Sequence, residues 1–171
     1  MKKIILILTM LISLISFSQT TDSIYVMKET DSMNDKTYFY PNKAFVIKNE
    51  TGKIGFRVSV HIDGDLSFSM ITVTMVGIGS CNENDEIIIL LENGTKITKK
   101  SWAEFNCDGK AYFNLDESEI TLIKTSPISK IRLTNGRTYE SYTGDIKPSD
   151  KRWFIQLFYC LDNKIITELK K

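Results

Sequence analysis

The chain has 171 residues, with 22 Lys and Arg against 21 Asp and Glu, one His and three Cys. That length can bury a core of ordinary size without a metal staple. A formal charge of +1 with no clustered basic stripe leaves no electrostatic footprint for nucleic acid, and Lys99-Lys100 and Lys170-Lys171 read as solvated ends.

The N-terminus reads as a leader. Met1-Lys2-Lys3 is a short positive segment, and Ile4 to Phe17 is apolar apart from Thr and Ser. That run is shorter than the roughly 20 residues a membrane span needs. Ser16-Phe17-Ser18 places small residues at −3 and −1 of a cleavage site, so residues 1–18 are expected to be a signal peptide and Gln19 the mature start. No later hydrophobic segment is long enough to cross a bilayer, so no stable membrane insertion is expected after cleavage. The expected destination is the periplasm of a Gram-negative bacterium or the outside. Residues 19–171 are expected to form one β-rich α+β domain, with a loosened stretch at Gly77, Gly79 and Ser80 (about 77–82) as the one internal boundary.

Two-residue alternation between turn signals dominates and predicts strands. In order these are "SIYVMK" (23–28), "TYFY" (37–40) ending at Pro41, "AFVIK" (44–48), "IGFRVSVHI" (54–62) and "LSFSMITVTMV" (66–76). Turns are expected at "ETGK" (50–53) and "DGD" (63–65), so residues 24–76 read as an antiparallel meander. Two Asn-Gly hairpins follow, "EIIILLENGTKITKK" (86–100) and "ISKIRLTNGRTYESY" (128–142). Three-residue turns with a glycine bulge would place Ile89 opposite Ile97 and Ile131 opposite Tyr139.

Two segments read as helices. "LDESEITLIKTSP" (115–127) has Asp116 as N-cap, Glu119 three residues on and Pro127 as a stop. "PSDKRWFIQLFYCLDNK" (148–164) places Trp153, Leu157, Cys160 and Leu161 on one stripe with Phe154 and Phe158 on its flank. The tail "IITELKK" is expected as a short strand or frayed end. The fold class is α+β: an antiparallel sheet with one or two helices on one face.

From about residue 86 to 161 the order is a hairpin, "FNCDG", an aromatic strand, an acidic-start helix, "SPISKIRL" and a helix ending in Cys-Leu. This resembles uncharacterised small secreted proteins of Gram-negative bacteria. The resemblance implies no activity and carries over no functional residue.

Chemistry must come from few residues. In an oxidising compartment cysteines pair by default, and three leave one over. Extending the Asn93-Gly94 hairpin brings Cys81 near residues 105–106, so Cys81–Cys107 is the expected bridge, with Cys107–Cys160 as the alternative. A catalytic thiol needs a base, and the single His61 lies on the polar face of a regular strand. No CxxC or HxxxH pair suggests zinc, and "CNENDE" (81–86) lacks the Gly and Glu of a calcium loop and reads as a solvated turn. No cofactor is expected. In "KTYFYP", Tyr38 and Tyr40 alternate against Phe39 on what reads as an edge strand, and outward tyrosines can stack on sugars or anchor a protein. The expectation is a non-catalytic exported protein that binds an unknown protein or glycan, or an envelope component. The alternatives are a secreted inhibitor or immunity-like partner, and a Cys- or carboxylate-dependent hydrolase.

Overall fold

The computed structural model describes residues 24–33, 35–48, 54–63, 69–75, 81, 83–102, 107 and 109–170. The expected leader, the "ETGK" turn, the tip of the "DGD" turn and the Gly77–Ser80 boundary lie outside these. The fold is α+β, with ten strands and two helices described. The strands form two antiparallel sheets rather than one.

The first sheet contains β1 (Val26–Asp31), β2 (Lys36–Pro41), β3 (Phe45–Lys48), β4 (Ile54–Asp63), β5 (Ser69–Met75) and β8 (Lys110–Leu115). Its order is β1-β2-β4-β5-β8, and β3 also pairs with β4. Pro41 ends β2, so β2 and β3 share one side of the long β4: Phe39 opposes Ile62, and Phe45 opposes Val58. Alternation sends Val58, Val60 and Ile62 of β4 and Ala111, Phe113 and Leu115 of β8 inward. Strand β2 is therefore not the expected edge strand. It lies between β1 and β4, and β1 is the edge.

The second sheet runs β10-β9-β6-β7, from β6 (Glu86–Leu91), β7 (Lys96–Lys100), β9 (Ile128–Thr134) and β10 (Ser141–Asp145). Ile89 opposes Ile97 as the turn arithmetic requires. The loop is Glu92-Asn93-Gly94, closed by Leu91 N–H donating to Thr95 O, with Gly94 at φ 87°. The second hairpin departs from its expected register: Ile131 opposes Gly144, not Tyr139, because the loop holds Asn135 to Glu140.

Helix α1 (Glu117–Thr125) starts on a complete capping box. Asp116 Oδ1 accepts from Glu119 N at 3.0 Å, and Glu119 Oε2 accepts from Asp116 N at 2.9 Å. Ser126 turns extended before Pro127, as the residue before proline prefers. Helix α2 (Trp153–Leu169) begins five residues later than expected, after turns through 148–152. It also runs through the tail that reads as strand or frayed end. Its inward stripe is Phe154, Leu157, Phe158, Leu161 and Ile165. Both phenylalanines thus face the core, and Trp153 and Cys160 sit half-buried at its margin. The reason is angular: the i, i+3, i+4, i+7, i+11 series from Phe154 gathers larger apolar residues than the series from Trp153.

The sheets meet along both borders. At one, Gly144 of β10 lies so close to β3 that a Cβ there would stand 1.9 Å from Ile47 Cγ2. At the other, Trp102 N–H donates to Tyr112 O at 3.2 Å, and their rings lie 5.5 Å apart. Side chains from both sheets and both helices share one core, in which Phe113, Phe154 and Phe158 are fully buried. Burying a side chain of that kind contributes about 1.5–3 kcal/mol relative to exposure. Helix α2 packs on β3 through Phe45, whose ring lies 5.1 Å from Phe154 and 5.2 Å from Trp153. An ion pair between Lys124 and Asp162 joins α1 to α2. Among the described residues, no helix is long and apolar enough to cross a membrane.

Candidate functional site: a tyrosine-lined hollow

Cys81 and Cys107 are joined, with Cα atoms 3.9 Å apart, across the open end of the β6–β7 hairpin. The alternative Cys107–Cys160 pair is not formed. Cys160 keeps its thiol on α2, where it donates to Ile24 O at 3.9 Å. With its sulfur bonded to Cys81, Cys107 is not available as a nucleophile for His61. Among the described residues no group of three His, Cys, Asp or Glu side chains gathers closely enough to hold a metal.

Within the "CNENDE" segment Glu83 and Asn84 are exposed, but Asp85 is not solvated. Asp85 is buried, and its Oδ1 accepts from Gly136 N at 2.9 Å. Asn135 is buried beside it. Its Oδ1 accepts from Arg137 N and Thr138 N, and its Nδ2 donates to Cys81 O at 3.2 Å. The 135–140 loop is thereby fastened to Cys81 and Asp85, which precede β6. It presents Tyr139 at φ 61° and 81% exposed. A non-glycine residue at positive φ is a locally strained position.

The outer face of the first sheet carries the larger feature. Register places Glu29 opposite Tyr38, Met27 opposite Tyr40 and Asp31 opposite Lys36. Opposed residues share a face, and Phe39 between the tyrosines is buried, so Tyr38 and Tyr40 point outward. Together with Glu29, Asp31 and His61 they border an open hollow of about 540 Å³. Tyr40 Oη donates to Glu29 Oε2 at 3.1 Å. The Tyr40 ring stacks on His61 with centroids 5.5 Å apart and planes 29° apart. Asp31 Oδ1 accepts from Met33 N at 2.8 Å and so shapes the turn after β1.

Electrostatics follow from these contacts. The hydrogen bond to Glu29 raises the Tyr40 phenol, because the carboxylate holds its proton in place. Burial beneath Tyr40 lowers His61, and the Glu29 charge only partly opposes this. His61 is therefore a neutral ring at pH 7. Two phenol faces, a neutral imidazole and a carboxylate at the rim suit binding a ligand by stacking and hydrogen bonding.

Sequence reasoning found both tyrosines but not their partner Glu29. It ended the first strand at Lys28, because "ETD" looks like loop. The structure continues β1 to Asp31, an exposed edge segment with little to bury on either side. The alternation of Met27, Glu29 and Asp31 was the available signal. The stacking of His61 on Tyr40 needed the β2–β4 register, which spans a long stretch of chain. No protein-family model, curated protein or solved structure matches this chain.

Proposed function

We propose that the protein is an exported, non-catalytic binding domain and that the hollow between β1, β2 and β4 is its ligand site. One observation carries the reading: Tyr38, Tyr40 and His61 present rings around Glu29 on a face where sheet hydrogen bonding holds their backbones. Sites on strands keep such constellations in register better than sites on loops. Export is supported by the leader-like N-terminus and by the Cys81–Cys107 bond, since disulfides persist in oxidising compartments. The test is a binding screen of glycans and of proteins captured from the envelope. Any specific hit is then repeated on the double variant Tyr38→Ala, Tyr40→Ala. Loss of the hit with an unchanged melting temperature locates the site, and full retention removes the hollow from consideration.

A second reading has its own observation. Tyr139 stands exposed on a loop pinned by Asn135, Asp85 and the disulfide-bearing segment. Rigid display of one aromatic side chain is how inhibitor-like partner proteins engage a cleft. A captured protein whose binding is lost with Tyr139→Ala but kept by the Tyr38, Tyr40 double variant would favour this reading.

A further inference from the structure

The hollow has a polarity that narrows its ligand. Glu29 faces Tyr38 directly across the β1–β2 ladder, and the second phenol, Tyr40, bonds one of its oxygens. The carboxylate is thus bonded by one phenol, on the strand that also carries the other. The one basic residue registered on this face of β2, Lys36, lies opposite Asp31. Among the described residues, those bordering the hollow include two carboxylates and neither Lys nor Arg. The negative faces of the aromatic rings and the carboxylate favour the same sign of charge. Seating a primary ammonium against ring faces strips water from a strongly hydrated charge. A methylated ammonium is weakly hydrated and can exchange water for ring faces at lower cost.

Resting on the reading of this hollow as the ligand site, we infer that it takes a small organic cation with a methylated ammonium group, seated against Tyr38 and Tyr40 with Glu29 as counter-charge. The ring faces supply contact, and Glu29 supplies discrimination against neutral molecules of the same shape.

The experiment is an NMR titration of the full chain, following the tyrosine ring signals and the His61 ring. Choline is compared with 3,3-dimethyl-1-butanol, its neutral isostere, and with a neutral chito-oligosaccharide. Choline is expected to shift the Tyr38, Tyr40 and His61 signals saturably and to bind about tenfold more tightly than the alcohol. Glu29→Gln, an exposed edge-strand change, is expected to reduce choline affinity severalfold with the melting temperature unchanged. Equal binding of choline and the alcohol, or undiminished choline binding by Glu29→Gln, overturns the cation while leaving the hollow as a site. Saturation of the same signals by the oligosaccharide alone does the same. If none of the three probes moves these signals, the cation proposal fails, and the hollow loses its support as a site for either class.

Discussion

Asp116 and His61 show how single side chains here respond to pH in opposite ways. Asp116 accepts from the Ser118 hydroxyl, from the Glu119 amide and, at longer range, the charge of Lys99. These hold its carboxyl below the usual range, led by the Ser118 bond. A carboxylate with a depressed folded-state pKa stabilises the fold above its unfolded value and loses that effect as pH falls through the folded one. Asp116→Ala should therefore lower the melting temperature at pH 7, with a smaller difference from wild type near pH 3, as thermal melts across that range would read. His61 has a lowered pKa because burial penalises its charged form. Between the ordinary value of about 6.5 and the lower folded one, the unfolded chain binds more protons. Stability should be flat above about pH 6.5 and decline as pH falls through that window. His61→Gln should remove this decline, measured as the wild-type minus variant difference in urea midpoint. Asp116 was legible as a cap from its spacing to Glu119. The half-buried state of His61 was not, because the polar face of a strand does not announce that a tyrosine from another strand will lie on it.

At the scale of elements, the two Asn-Gly hairpins share a motif and diverge in structure. Around Asn93-Gly94 the loop closes locally, and the expected register holds. Around Asn135-Gly136 the asparagine is drawn inward to Cys81, and the glycine amide to Asp85. The loop lengthens, and Tyr139 leaves the ladder. Gly136 is needed for space: a Cβ would lie 2.2 Å from Glu83 O and 2.3 Å from Asn84 O. Gly136→Ala must push two backbone segments apart and should cost about 1–3 kcal/mol in a denaturation experiment. Gly94→Ala meets no neighbour and should cost only the strain of its positive φ. Helix α2 teaches a related lesson. Several apolar stripes can be drawn on "WFIQLFYCL", and only packing against Phe45 and the sheets selects the one through Phe154 and Phe158.

The whole molecule depends on one disulfide and one shared core. Cys81 and Cys107 are separated by 26 positions. Closing a loop of that size in the unfolded chain stabilises the fold by roughly 3.5 kcal/mol in the chain-entropy model. Replacing both cysteines by serine should lower stability by about that amount in urea titrations, with the β6–β7 end losing amide protection first. Phe158→Ala removes a fully buried ring of α2 from the shared core and should cost about 3–5 kcal/mol. By itself the sequence determined the α+β class, most strands, the α1 cap and the first Asn-Gly turn, and it favoured Cys81–Cys107 over the Cys107–Cys160 alternative that the structure excludes. Each depends on residues near in sequence or on one hairpin extended outward. Only the tertiary structure decided that the strands divide into two sheets, that β2 is interior, that α2 buries its phenylalanines, and that Glu29, Tyr38, Tyr40 and His61 meet. Those depend on pairing between distant strands, where many registers satisfy the same alternation and the common core selects among them.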